Sequence, residues 1–358
     1  MKRSRTTEPS APLRAATLQS IATAAGVHRS TAARALDPAQ SHRISAEVVQ
    51  HVREEARRQG YRRDAIAASL RTGRSRLVGV VLPDLANPVF APILGGISAT
   101  LAREGYSVLV ADTAEVDQIK IAEELIARRV DGLVLATARR RDPVVRLCLS
   151  LEVPTVLVMR AEDRRRAPSV VTDDIGGMRL AVDHLRALGH KRIGHLAGPE
   201  HLSTGVLRRR GFEVAMTNAG LDSTCVATAA AYSRAAGRAA AAELLDRHLA
   251  LTAIAAANDL LALGAYQEVA ARGLSCPEDI SIVGHNDMPL VDMVEPPLTT
   301  VRIEHTAMGN EAARLLIEQI QNPAAKSIIR VTPSELIVRG STRAAASTRG
   351  SAKQVSVA

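Results

Sequence analysis

From Leu77 onward, short aliphatic runs alternate with longer segments whose apolar residues recur at helical spacing. The short runs predict strands buried on both faces, and the longer segments predict amphipathic helices. Alternating strands and helices favour an α/β fold with parallel sheets, and so many units favour two lobes, each a doubly wound sheet. Small ligands then bind in the cleft between the lobes, at the carboxyl ends of the strands. The predicted strands are Leu77–Leu82, Ser107–Ala111, Gly132–Leu135, Thr155–Val158, Arg192–Leu196, Ala253–Ala256, Ser281–Val283 and Leu298–Val301.

The surplus positive charge is confined to the start of the chain. Residues 1–76 contain 15 Lys and Arg against 6 Asp and Glu, whereas residues 77–358 contain 31 of each. The formal net charge of +9 therefore belongs entirely to the N-terminal segment. A basic field this localised favours a polyanionic partner such as nucleic acid.

Within the basic segment, Thr17–Leu36 has the pattern of two short helices joined by a tight turn. Gly26 stands at the turn, where a residue that adopts positive φ without steric cost is favoured, and Thr17 can cap the first helix. A third predicted helix, Ser45–Gln59, carries apolar residues on one face and ends at Gly60. This arrangement is typical of a helix-turn-helix DNA-binding head. The alternative is a three-helix cap with a solvated basic face.

Composition narrows the class of protein further. A chain of 358 residues with 46% apolar residues can bury a sizeable core without disulfides. The three cysteines, Cys148, Cys225 and Cys276, are scattered, which favours reduced thiols in a cytoplasmic protein. No apolar run is long enough to span a membrane, and the N-terminus lacks the apolar core of a secretion signal. Residues 1–16 and 341–358 hold little to bury and are expected to be disordered tails.

Several stretches beyond the head match one family when they are taken together. They are GYRRDAIAASLRTGRSRLVGVVLPDLANPVF (60–90), HLRALGHKRIGHLAGP (184–199), ANDLLALG (257–264), and PEDISIVGHNDMP followed by PPLTTVR. Each motif alone is weakly specific, but their number and order are highly specific. Over about residues 18–343 the chain resembles the lactose-repressor (LacI/GalR) family of bacterial transcription regulators. The resemblance implies an all-α helix-turn-helix head followed by a two-lobed effector domain like a periplasmic binding protein.

The resemblance implies roles within the head. Arg29, Ser30 and Arg34 match the positions at which the family reads base edges, and an arginine can bind guanine O6 and N7 through two hydrogen bonds. Thr31 would contact phosphate. His28 stands where the family usually has Ser and is a weaker helix cap, so the start of the recognition helix is expected to be less rigid. The alternative for Arg34 is a salt bridge to a neighbouring acid.

Residues 64–71 resemble the family's hinge helix. So short a helix is unstable alone in water, so it is expected to fold only when two copies pair on DNA. Leu70 matches the wedge residue that enters the minor groove and bends the duplex. Arg63 stands where the family commonly has Pro, which makes the free hinge more flexible. The predicted DNA-binding set is Thr17, His28, Arg29, Ser30, Thr31, Arg34 and Leu70.

The resemblance also implies an effector site between the lobes. Aromatic faces would pack on a sugar ring, and Arg, Asn and Asp would divide its hydroxyl groups between donor and acceptor. The predicted residues are Phe90, Thr204, Arg208, Tyr232, Asn258, Asp259 and Asn286. The alternatives are that Phe90 packs in the core and that Asp259 caps the following helix. His285 and Asn286 replace the aromatic residue and Asp frequent in the family, which exchanges a carboxylate for an amide that also donates.

No enzyme signature is found: the sequence has no GxSxG, Walker, HExxH or strand-linked GxGxxG motif. His184, His190, His195 and His201 have no standard metal-site spacing. No catalytic residue, cofactor or metal ion is therefore expected.

The predicted function is a DNA-binding transcription regulator, a repressor, with no membrane association and a nucleoid location in the bacterial cytoplasm. A homodimer would bind a pseudopalindromic operator on double-stranded DNA, and a small molecule, a sugar or a derivative, would control its affinity. The rival hypotheses are a periplasmic-type sugar-binding protein and an enzyme with an appended head. The predicted divisions are a tail (1–16), head (17–62), hinge and linker (63–76), effector and dimerisation domain (77–340) and tail (341–358). The N-lobe would comprise 77–173 and 302–327, and the C-lobe 174–301 and 328–340.

Overall fold

The computed structural model describes residues 16–37, 40–61, 73–114 and 116–345. Their contacts divide into two compact units on either side of the Ser75–Arg76 bond. The predicted hinge helix, residues 64–71, and its wedge residue Leu70 lie outside the described residues.

The first unit is a cluster of short helices. They are α1 (Leu18–Ala24), α2 (Arg29–Ala35) and α3 (Ala46–Arg58), with a 3₁₀ turn at Ser41–Arg43. Thr17 caps α1, because its hydroxyl accepts the Ser20 N–H at 3.1 Å while the Ser20 hydroxyl accepts the Thr17 N–H at 3.1 Å. Gly26 has φ +63° in the turn between α1 and α2. The helices enclose a small apolar core of Ile21, Ala22, Ala25, Ala32, Ala35, Val49, Val52 and Ala56.

The second unit contains two six-stranded sheets, and the first is wholly parallel, in the order β11-β5-β4-β3-β1-β2. Its strands are β1 (Leu77–Leu82), β2 (Ser107–Asp112), β3 (Gly132–Leu135), β4 (Thr155–Val158), β5 (Ser169–Thr172) and β11 (Ile329–Thr332). Its helices are α4 (Phe90–Arg103), α5 (Gln118–Ala127), α6 (Pro143–Ser150) and α11 (His305–Gln321).

The second sheet has the order β12-β10-β9-β8-β6-β7 and is parallel except for β12. Its strands are β6 (Ile193–Ala197), β7 (Val226–Thr228), β8 (Ala253–Ala256), β9 (Ser281–Asn286), β10 (Thr299–Ile303) and β12 (Ser334–Ile337). Its helices are α7 (Asp174–Ala187), α8 (Ser203–Asn218), α9 (Arg234–Arg247) and α10 (Asp259–Ala271).

Apolar layers cover both faces of each sheet. In β1, Val80 contributes to one cluster and Val81 to another, as expected when successive side chains point to opposite faces. In β8, Ile254 and Ala255 divide in the same way. The predicted two-lobed, doubly wound architecture is therefore confirmed.

The predicted lobe boundary near the C-terminus is wrong in one respect. The sequence places residues 328–340 in the C-lobe, but Ile329–Thr332 pairs with β5 of the first sheet, and only Ser334–Ile337 joins the second. Pro333 alone separates the two strands. Both are edge strands with half-exposed side chains, so no apolar run marks the point where the chain crosses between lobes.

The predicted C-terminal tail also begins too early. Residues 341–345 are described, and Ser341 is fully buried. Its hydroxyl donates to the Ile282 carbonyl at 2.6 Å and accepts the Thr299 N–H at 2.8 Å. The Arg343 N–H donates to the Ser281 hydroxyl at 3.1 Å. A polar composition is misleading here because the serine hydroxyls satisfy buried backbone groups instead of facing water.

Candidate DNA-reading surface and effector cleft

The residues predicted to read bases lie on the outward face of α2. Ala32 and Ala35 face the head's core and are 0% exposed, which turns Arg29, Ser30 and Arg34 towards the opposite side of the helix. All three of these side chains are exposed. Within the described part of the chain, neither arginine has an acidic partner at ion-pair distance, so the salt-bridge alternative for Arg34 finds no support there.

His28 caps α2 with its ring. Nδ1 accepts the Ser30 N–H at 3.3 Å and lies 2.8 Å from the Ser30 hydroxyl oxygen. The imidazole thus replaces the short hydroxyl that usually caps a helix. It also engages the Ser30 hydroxyl, which leaves Arg29 and Arg34 as the long exposed donors of this face. Thr31 is half-buried.

In the second unit, the loops that follow the strands of one lobe meet those of the other. After β3, the Arg140 N–H donates to the His201 carbonyl beyond β6 at 3.0 Å. After β4, the Ala161 N–H donates to the Ser203 hydroxyl at the start of α8, also at 3.0 Å. The carboxyl ends of parallel strands in the two lobes therefore border a common cleft, as expected for ligand binding in this architecture.

Arg208 is the central side chain of the cleft's second-lobe wall. It is 2% exposed, its Nε donates to Asp174 Oδ1 at 2.7 Å, and one terminal nitrogen donates to the Ala257 carbonyl at 2.6 Å. The guanidinium thus joins α8 to the start of α7 and to the end of β8. Burial raises the pKa of Asp174, while Arg208 and the Thr172 hydroxyl act against that rise. The remaining terminal nitrogen of Arg208 is buried without a hydrogen-bond partner among the described residues.

Tyr232 and Thr204 lie together beside Arg208. The Tyr232 hydroxyl donates to the Thr204 hydroxyl at 3.2 Å. Burial raises the pKa of Tyr232, and the positive charge of Arg208 opposes that rise. Gly198, just after β6, makes room for this ring, because a Cβ built there would overlap the phenol of Tyr232. Three of the predicted effector residues are therefore brought together by α8 and the loop after β7.

Asn258 and Asp259 have structural partners of their own. Asn258 caps α10, since its Oδ1 accepts the Leu261 N–H at 2.9 Å. Asp259, 0% exposed, accepts the Thr300 hydroxyl at 2.5 Å and the Met288 N–H at 2.8 Å. Burial raises the pKa of Asp259 to about 7. Asn258, not Asp259, therefore caps the helix, and Asp259 fixes the loop after β9.

Phe90 and Asn286 are both buried at the end of an element, one in each lobe. Phe90, the first residue of α4, is 4% exposed and belongs to an apolar cluster that includes Leu82 and Val89. Asn286 ends β9 with φ +115°, and its Oδ1 lies 3.3 Å from Nδ1 of the buried His285.

Asp287 does not stand in for a carboxylate at position 286. Its two carboxylate oxygens accept from Arg302 at 2.8 Å and from Arg339 at 2.7 Å. Asp287 therefore belongs to a network that holds the β9 loop to β10 and to the C-terminal segment.

Sequence reasoning missed two arginines of the first lobe. Arg160 follows β4, and burial lowers its pKa to about 10, with the positive charges of Arg208 and Arg139 acting in the same direction. Arg139 follows β3 and is exposed. Partial burial lowers the pKa of His201, and the positive charges of Arg139 and Arg160 act in the same direction. The sequence offered a signal that could have identified both arginines, because each comes within a few residues of a predicted strand's carboxyl end.

Comparisons with known proteins agree with this architecture. A model of a periplasmic binding protein-like domain matches residues 182–342. The HTH-type transcriptional repressor CytR of Escherichia coli (strain K12) is 33% identical over 335 residues, which cover 92% of this chain and 97% of CytR. The HTH-type transcriptional regulator MalR of Streptomyces coelicolor (strain ATCC BAA-471 / A3(2) / M145) is 34% identical over 345 residues, covering 93% and 98%. The chain belongs to the LacI family of transcription regulators.

Solved structures of LacI-family proteins have the same fold. The Lac repressor dimer bound to operator and the anti-inducer ONPF matches with a TM-score of 0.82 and 28% identity, over 92% of this chain and 100% of that one. A complex of the transcriptional regulator CelR with cellobiose matches with a TM-score of 0.70 and 30% identity, over 91% and 99%. As a LacI-family member, the chain is a DNA-binding transcription regulator and not an enzyme. Among the described residues, no helix is long and apolar enough to cross a membrane.

Proposed function

We propose that this LacI-family chain is a repressor that binds a pseudopalindromic operator as a homodimer. A small molecule, a sugar or a sugar derivative, binds in the interlobe cleft and sets the affinity for DNA. The observation that carries the proposal is the buried Arg208. It connects three elements of one lobe and retains an unused donor beside Tyr232 and Thr204. The operator-bound Lac repressor and the cellobiose-bound CelR support both halves of the proposal.

In the head, Arg29, Ser30 and Arg34 read base edges in the major groove, while Thr31 contacts phosphate and Thr17 lies near the backbone. His28 sets the direction of α2. Leu70, outside the described residues, is proposed as the minor-groove wedge on the strength of the family resemblance alone. The head occupies residues 17–62, with the hinge and linker up to Arg76.

In the effector domain, the ligand acts by binding both lobes at once. Arg160 comes from the first lobe, whereas Thr204, Arg208 and Tyr232 come from the second. A ligand that bridges them stabilises the lobe arrangement in which all of them reach it. It changes DNA affinity only by the difference between its affinities for the two arrangements, and the effect is reciprocal. Asn258, Asp259 and Asn286 shape the second-lobe wall.

The test is selection of a preferred duplex from a random pool by the purified protein, followed by titration of that duplex and of random DNA at several salt concentrations. We expect a palindromic consensus, tighter binding to it than to random DNA, and affinity that falls with added salt. A cleft ligand should change the affinity for the selected duplex. Sugar binding without any duplex preference would instead support the periplasmic-type alternative. With a palindromic operator as its target, the protein acts at the nucleoid in the cytoplasm.

A further inference from the structure

We propose that the effector of this protein is an anion: a monosaccharide that carries a phosphate or carboxylate group. Arg139 and Arg160 of the first lobe and Arg208 of the second lobe bind that group. The proposal rests on the proposed function, because it names the ligand class of the same cleft.

The backbone fixes the two first-lobe arginines at the cleft. Arg139 and Arg160 leave the neighbouring parallel strands β3 and β4 at the same edge of the sheet. The residue after each one, Arg140 or Ala161, donates its N–H to the second lobe. The two side chains therefore begin where the lobes meet. The charge of Arg160 interacts with Tyr232 and Arg208 of the second lobe, and the charges of both arginines act on His201.

The carboxylates around these arginines already have other partners. Asp142 accepts the N–H groups of Val144, Val145 and Arg139, so it caps α6. Each of the others is paired with a different arginine: Glu162 with Arg166, Asp163 with Arg140, Asp174 with Arg208, and Glu200 with Arg209. Within the described ranges, no carboxylate lies at ion-pair distance from the side chain of Arg139 or Arg160.

One nitrogen of the Arg208 guanidinium is a buried donor. Asp174 and the Ala257 carbonyl accept from two of the three guanidinium nitrogens. The side chain is 2% exposed, and the third nitrogen has no hydrogen-bond partner among the described residues. A buried donor without an acceptor costs free energy, and an anionic oxygen is the acceptor that a guanidinium binds most strongly. Arg160 is half-buried, and its charge and that of Arg208 repel each other, which brings a second guanidinium into the neighbourhood of this donor.

Two further features favour an anion over a neutral sugar. Arginines outnumber carboxylates in the loops after β3 and β4, with runs at 139–141 and 164–166; Arg140 and Arg166 are paired with Asp163 and Glu162, and the remaining positive charge raises the local concentration of anions. Asn286 stands where the LacI family frequently has Asp, so this position of the second lobe carries no negative charge.

The experiment compares neutral and anionic partners of one sugar skeleton by thermal shift on the full chain. The pairs are glucose with glucose 6-phosphate, fructose with fructose 6-phosphate, ribose with ribose 5-phosphate, and glucose with glucuronate. We expect at least one anionic member to raise the melting temperature by about 5 °C or more at a hundredfold excess over its Kd, with no shift from its neutral partner. The phosphate and carboxylate arms distinguish the two kinds of anion.

Two variants assign the effect to the cleft. Arg160→Gln should weaken binding of the active anion by about 10- to 100-fold, because one charge-assisted contact is lost. Arg128→Gln removes the same charge from the end of α5, at the opposite edge of the first sheet, and should bind the anion as the parent does. Stabilisation by neutral sugars alone, no stabilisation by any anion of the panel, or equal binding by both variants overturns the proposal.

Failure of this inference is distinguishable from failure of the proposed function. If a neutral sugar changes operator affinity, the protein is a ligand-controlled repressor and only the charge assignment is wrong. If an anion binds the cleft in an Arg160-dependent way but operator affinity is unchanged, the ligand class stands and the proposed control of DNA binding fails.

Discussion

The Nε atom of Arg208 donates to Oδ1 of Asp174 over 2.7 Å, and the two side chains are 2% and 1% exposed. Both ions have left water, so the pair is favourable only while both partners are present. Burial raises the pKa of Asp174 even beside Arg208, because burial disfavours the charged form of the carboxyl. This pair joins α8 to the start of α7 in the second lobe.

Removing Asp174 should therefore be strongly destabilising. We expect Asp174→Ala to lower the free energy of unfolding by about 3–5 kcal/mol, because it leaves the Arg208 charge buried and unpaired. Urea unfolding measures the loss. Asp183→Ala breaks an exposed pair with Arg186, whose atoms are 3.7 Å apart, and should cost about 1 kcal/mol or less. Similar losses in the two variants would contradict the argument.

A substitution at Gly198 tests how closely the Tyr232 ring packs against the backbone. A methyl group at Gly198 overlaps the Tyr232 phenol, so we expect Gly198→Ala to displace the ring, break its hydrogen bond to Thr204 and cost about 1–3 kcal/mol. Gly95→Ala is the control, because its Cβ meets nothing within 4 Å on an exposed face of α4. That change should stabilise by about 0.5–1 kcal/mol. Calorimetry or chemical denaturation compares the two, and a tolerated Gly198→Ala would place the ring elsewhere.

Asp259 should make stability depend on pH. Its pKa in the folded state is about 7, above the ordinary value of 3.8, so folding favours the protonated carboxyl. Its contribution is fully present below about pH 4, declines as pH rises and is lost above about pH 7. Asp259→Asn can still accept from Met288 and donate to Thr300, so unfolding free energies measured between pH 4 and 8 should fall less steeply with pH than those of the parent. Parallel pH profiles would show that Asp259 ionises normally.

Removing an arginine from the outward face of α2 should reduce the protein's discrimination between bases. Arg29→Ala should relax the preference at one operator position by about 1–3 kcal/mol and weaken binding to random duplexes much less. Titration of the selected operator, its single-base variants and random DNA measures the difference. Arg128→Ala, at the end of α5 in the effector domain, should change none of these affinities. Equal losses on specific and random DNA would make Arg29 a phosphate contact instead.

Much of the architecture could be predicted because its signals are local. The apolar runs of β1, β3 and β8 are buried on both faces, and the capping and turn residues Thr17 and Gly26 act within a few residues of themselves. The strands that were missed, β5, β7, β11 and β12, are only three or four residues long, and three of them, β7, β11 and β12, lie at sheet edges. Their identity depends on the neighbour they pair with, which is distant in the chain.

The sequence by itself determined the basic head, the alternation of strands and helices, and the residue types available to a ligand site, because period, charge and turn chemistry are properties of neighbouring residues. Only the tertiary structure decided how those residues are used. It showed that Asn258 caps α10 while Asp259 fixes a loop, that Asp287 is held by two arginines, and that the charges of Arg160 in one lobe and Arg208 in the other act on each other. Such roles depend on which hydrogen-bond and ion-pair partners each side chain meets in the folded protein. Contacts between residues far apart in the chain decide those partners.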